Sequence, residues 1–69
     1  MDISKKIKLA ETYASIRESE LSRKLGTSPQ AFGQRMKTGK FTSVELEDIA
    51  SALGAEYVCY FKFPDGTKI

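Results

Sequence analysis

Up to residue 53 the apolar positions recur at helical spacing, and beyond residue 56 they crowd into a stretch that suits a strand. Ile3, Ile7, Ala10 and Ala14 follow an i, i+4, i+7, i+11 rule, with Lys5, Lys6, Lys8, Glu11 and Thr12 mostly off that stripe. The pattern predicts a first helix over 3–14, with Asp2 as its side-chain cap. Leu21 and Leu25, four apart and followed by Gly26, predict a short second helix over 18–25, ended by glycine in a left-handed conformation. Ser28-Pro29 opens a third over 29–37: serine accepts free N–H groups, and proline suits the first turn, where its missing N–H is not needed. Phe32 and Met36 supply its buried edge and Gly39 ends it. Thr42-Ser43-Val44-Glu45 reads as a capping box for a fourth helix over 43–53, continuing through Leu46, Ile49, Ala50 and Leu53 to Gly54.

The period then changes to two. Tyr57, Val58, Cys59, Tyr60, Phe61, Lys62 and Phe63 are almost all β-branched or aromatic, Pro64-Asp65-Gly66 is a turn signal, and Thr67-Lys68-Ile69 can fold back as a short strand. The expected fold is mainly α: one domain over 1–69, with four helices and a C-terminal β-hairpin over about 56–69. In such a hairpin Tyr57, Cys59, Phe61 and Phe63 face one way and Val58 and Tyr60 the other, so both faces are apolar. Its own helices can cover one face, and the other then needs a partner. The simplest partner is a second copy, with Tyr57, Val58, Tyr60 and Phe61 at the dimer interface; the alternative is an intramolecular core that leaves Val58 and Tyr60 partly exposed. Cys59 reads as a small buried apolar residue, with a redox-sensing role as the alternative.

Composition narrows the function. Sixty-nine residues form one small core with a thin stability margin, and such domains add disulfides, metals or oligomerisation. A single cysteine excludes an intramolecular disulfide, and with no histidine there is no Cys/His zinc site, which leaves oligomerisation. Lack of histidine also removes the commonest general acid/base. No carboxylate pair, metal cluster or nucleophile–base set stands out, so neither an enzyme nor a metal, cofactor or small-molecule substrate is expected. No signal-peptide pattern and no membrane-length apolar run is present, so a soluble, cytoplasmic protein is expected. Net charge is +2, unevenly placed: residues 17–40 carry six Lys/Arg against two Glu, whereas residues 41–69 carry two Lys against five acids. A basic middle segment either is a solvated face or attracts a polyanion, of which duplex DNA is the commonest.

Two short helices joined by a glycine-containing turn have the spacing of a helix-turn-helix, here Ser19 through Phe32. Leu21, Leu25 and Phe32 fill the wedge between the helices, Ser22 is small where they approach, and Gly26 permits the positive φ of the turn. With Glu20-Leu21-Ser22, Leu25-Gly26-Thr27-Ser28-Pro29, Gln34-Arg35-Met36-Lys37 and Leu53-Gly54, residues 3 to 54 resemble the Cro/repressor-like helix-turn-helix regulators of phages and bacteria. The resemblance implies operator binding, with the third helix as the reader.

The residues themselves agree with that implication. Gln30, Gly33, Gln34 and Lys37 share the face opposite Phe32 and Met36. Glutamine can pair bidentately with adenine, so Gln30 and Gln34 are candidates for base contacts, with Ala31 beside them as the third. Ser28, Arg35, Lys37, Lys40, Thr42 and Ser43 are the candidates for DNA-backbone contacts. The chain departs from the family pattern where the second helix begins: Arg17-Glu18 stand in place of Thr-Gln. Glu18 would repel a phosphate, and Arg17 is the cation that can substitute. The expected function is sequence-specific duplex-DNA binding by a small homodimeric regulator, a repressor by preference. The alternative is a protein-interaction module, such as an antitoxin or anti-regulator, that uses the aromatic tail.

Overall fold

A computed structural model describes residues 2–69. Its four helices are α1 (Ile3–Ala14), α2 (Glu18–Lys24), α3 (Pro29–Thr38) and α4 (Ser43–Ala52). Three of them start where a side chain takes up an N–H group that the first turn cannot satisfy internally. Asp2 accepts from Lys5 N at 2.9 Å, Ser28 from Ala31 N at 3.1 Å, and Thr42 from Glu45 N at 3.1 Å. Thr42 N in turn donates to Glu45 Oε1 at 2.9 Å, which completes the expected capping box. Helix α2 starts at Arg17 with no side-chain cap, consistent with a residue there that has no acceptor to offer.

α1 has the expected bounds, and the ends of the other three helices differ from expectation by one residue each. α2 stops at Lys24 and α4 at Ala52, because Leu25 and Leu53 are already the caps that lead into positive-φ glycines, Gly26 at 75° and Gly54 at 73°. α3 runs on to Thr38 before Gly39 turns the chain at φ 67°.

Packing centres on Leu21, which is fully buried, as is Ser22 beside it. Ile7, Phe32, Met36, Ile49 and Leu53 close around Leu21, so α2 touches each of the other helices. Ser4 Oγ donates to Met36 O at 2.7 Å and ties α1 to the last turn of α3.

Glu11, expected to lie off the apolar stripe, is buried at 7% exposure. It stands four residues after Ile7 and three before Ala14, so helical geometry places it within the stripe whatever its charge. Its Oε2 has no hydrogen-bond partner.

The expected hairpin shrinks to one isolated antiparallel bridge, Lys62 with Lys68, and the described residues contain no strand. The turn itself forms: Gly66 has φ 92° and donates to Phe63 O at 2.9 Å, while Asp65 Oδ1 accepts from Thr67 N at 2.8 Å. Only Phe61 and Phe63 hydrogen-bond to the returning segment, through Ile69 and Thr67; residues 57–60 have no facing segment, and so short a ladder is marginal. Nor do the helices cover one face of the tail. Tyr57 is half-buried, every residue from Val58 on is exposed, and Cys59 is an exposed free thiol rather than a core residue. The tail lengthens the molecule to 44 Å, with a radius of gyration of 13.3 Å where a globule of this length has about 11 Å.

Candidate nucleic-acid interface

The α2–α3 unit is built by local chemistry. Gly26 N donates to Arg23 O and Thr27 N to Ser22 O, both at 3.0 Å, so the turn satisfies the last carbonyls of α2 before Ser28 starts α3. Phe32 and Met36 bury one edge of α3, and Gln30, Ala31, Gln34 and Lys37 are exposed. A helix so anchored presents a row of polar groups on a rigid support. None of its residues is acidic. Gly33 lies within that row, and a methyl group built there would meet no atom within 4 Å. Packing therefore does not require a glycine at this position, although it costs the helix about 1 kcal/mol relative to alanine.

The other expected contacts distribute unequally. Ser28 caps the N-terminus of α3, and Lys37, Lys40, Thr42 and Ser43 follow one another around its C-terminal end and into α4. Arg17 stands apart, at the head of α2. Among the basic residues of the middle segment, Lys24 donates through Nζ to Ala52 O at 3.3 Å, on the α4 side.

Arg35 is the most constrained of the cations. Its Nη2 donates to Lys40 O at 2.9 Å and to Glu45 Oε1 at 2.8 Å, and lies 2.6 Å from Glu45 Oε2, the single ion pair among the described residues. The guanidinium sits 5.2 Å from the centroid of the Phe41 ring, which in turn packs at 6.3 Å against Phe32. The hydrogen bond from Arg35, with help from Thr42 N, holds the Glu45 carboxyl down at about 2, and Glu45 raises Arg35 above the ordinary guanidinium range. The capping box is legible in the sequence because its partners are three residues apart; the link to Arg35, ten residues away, leaves no such local signal.

The four expected interface residues of the tail, Tyr57, Val58, Tyr60 and Phe61, lie outside this helical face, in the projecting segment. Lys68 Nζ sits 5.0 Å from the centroid of the Tyr60 ring, so one of the tail's two lysines covers an aromatic face. Among the described residues no group of three or more acidic, Cys or His side chains could hold a metal, and no helix is long and apolar enough to cross a membrane. Compared with known proteins, the chain matches no family model, no curated protein and no solved structure.

Proposed function

We propose that the chain binds duplex DNA sequence-specifically as a small, cytoplasmic transcriptional regulator, by preference a repressor. In this reading it is a helix-turn-helix domain of Cro/repressor-like type that lays α3 in the major groove. The carrying observation is α3 itself: anchored along one edge by Phe32 and Met36, free of acids, and exposing Gln30, Gln34 and Lys37. Gln30 and Gln34 read base edges beside Ala31, and the bare backbone at Gly33 lets the helix approach closely. Ser28, Lys37, Lys40, Thr42 and Ser43 hold the phosphates on either side, with Arg17 reaching the backbone from α2.

Selection of bound duplexes from a random pool tests the reading directly. With the selected site in hand, Gln34→Ala should lower discrimination at one base position by about 1–3 kcal/mol. Lys37→Ala should instead weaken every duplex and shallow the salt dependence of log K by about 0.9. Failure to retain any duplex at low salt would sink the proposal.

The second part of the reading is a homodimer through the C-terminal tail. The chain exposes 5308 Å², where a folded monomer of this mass exposes about 4,300 Å². That excess, about 1,000 Å², is comparable with the roughly 800 Å² per partner buried in a standard protein interface. It coincides with an apolar tail in which Val58 is 63% and Phe61 77% exposed. A two-fold dimer also suits operators built of two half-sites. Phe61→Ser should convert dimer to monomer in sedimentation while leaving the helical circular dichroism unchanged, since Phe61 lies outside the core. A parent chain that sediments as a monomer at every concentration would end this part of the proposal. The exposed tail also supports the interaction-module reading, which a tail-dependent assembly that binds no duplex would favour.

A further inference from the structure

Glu45 does two jobs with one carboxylate. It closes the capping box at the start of α4 through Thr42, and it grips the guanidinium of Arg35, ten residues earlier on α3. Arg35 completes the grip by donating to Lys40 O and stacking on Phe41. Within the same connection, Thr38 Oγ1 donates to Arg35 O at 2.8 Å and accepts from Lys40 N at 3.3 Å. The segment that carries Lys40, Thr42 and Ser43 is thus laced to the last turn of α3 through Arg35 and, more locally, through Thr38.

We propose that Arg35 and Glu45 are positioning residues for base discrimination: their clasp fixes the angle at which α3 presents Gln30, Gln34 and Lys37, without touching a base or a phosphate. The inference deepens the DNA-binding reading and rests on it. It reassigns Arg35, which sequence alone makes a candidate phosphate contact. Its Nη2 already serves a carboxylate and a carbonyl, and its face lies on an aromatic ring, so the side chain is drawn back toward Glu45 and Phe41 and leaves only Nη1 and Nε for other acceptors. Base readout demands placement within a fraction of an ångström, whereas backbone attraction tolerates displacement because it acts at longer range. Loss of the clasp should therefore reduce specificity more than overall affinity.

The experiment compares parent, Glu45→Gln and Arg35→Lys in binding the duplex selected from the random pool and a shuffled duplex of equal length, over a range of salt. Lysine keeps the charge but loses the planar fork and the stacking, so Arg35→Lys isolates geometry from charge. Glu45→Gln removes a negative charge, which strengthens binding to both duplexes alike and cancels in their ratio. The ratio of selected to shuffled affinity should fall about tenfold in both variants, with the salt slope of Arg35→Lys equal to that of the parent. Amide exchange over residues 40–46 of the free protein should quicken in both variants, while their melting curves stay cooperative.

Unchanged ratios would overturn the clasp proposal while leaving the DNA reading intact. A third variant, Arg35→Gln, distinguishes a direct role: a salt slope shallower by about 0.9 would make Arg35 a phosphate contact and overturn the proposal as well. If the parent itself retains no duplex, the DNA reading fails first and the clasp proposal falls with it.

Discussion

Replacing Leu21 by alanine should cost the domain about 3–4 kcal/mol, because the site is fully enclosed and cannot collapse around a smaller side chain. Leu21 lies where α2 meets the other three helices, among Ile7, Phe32, Met36, Ile49 and Leu53, so the vacated volume is lined from every side. Alanine's advantage in helix propensity is only a few tenths of a kcal/mol, too small to offset the cavity. A chain of this length is stable by roughly 3–10 kcal/mol in total. The melting temperature should accordingly drop by roughly 15–30 °C, read by circular dichroism. Leu9→Ala is the matched control, since Leu9 is 59% exposed on α1 and its loss should change stability by less than about 0.5 kcal/mol. Equal melting curves for the two variants would mean that the helices do not share the core described above.

The second large effect concerns Glu11 and runs against the usual dependence on pH. Burial pushes its carboxyl up to about 7; Glu18, facing it from α2, adds to the rise, and Lys8 on its own helix opposes it. Folding therefore favours the protonated form. The stabilisation is fully present below about pH 4.5 and is lost as pH rises through 7. A shift of this size corresponds to at most about 3 kcal/mol, and about 2 kcal/mol is a fair expectation for a side chain that keeps some contact with water. Glu45 acts in the opposite sense: its depressed value makes the clasp fully effective above about pH 4.5 and lost as pH falls toward 2. Stability should peak near pH 5 and decline toward pH 8. With no histidine in the chain, few other side chains titrate across that interval. Glu11→Gln, which keeps the shape and removes the charge, should flatten the decline and be about 2 kcal/mol more stable than the parent at pH 8. Parent and variant declining in parallel would exclude Glu11 as the responsible group.

Both effects depend on which residues face one another, and that divides what the sequence reveals from what it conceals. All four helices are legible, to within one residue at their ends, because their determinants lie within a turn of each other: Asp2 against Lys5, Ser28 against Ala31, Thr42 against Glu45, and glycine after each of α2, α3 and α4. The buried edge of α3 is legible for the same reason, since Phe32 and Met36 repeat at helical spacing and leave Gln30 and Gln34 opposite.

Chemical type misleads at Glu11, where a charged residue occupies a position that the geometry of α1 turns inward. It misleads again in the tail, where aromatic and β-branched residues announce a strand but the turn returns too few residues to pair with it. The sequence by itself determined where helices start and stop and which face of α3 is polar, because caps and periodicity act over three or four residues. Only the tertiary structure decided that Glu11 is enclosed near Glu18, that Arg35 is held by Glu45 and Phe41, and that the tail is left exposed from Val58 on. Each of those outcomes depends on a neighbour brought in from another element, or on the absence of one, and no local pattern of residues encodes it.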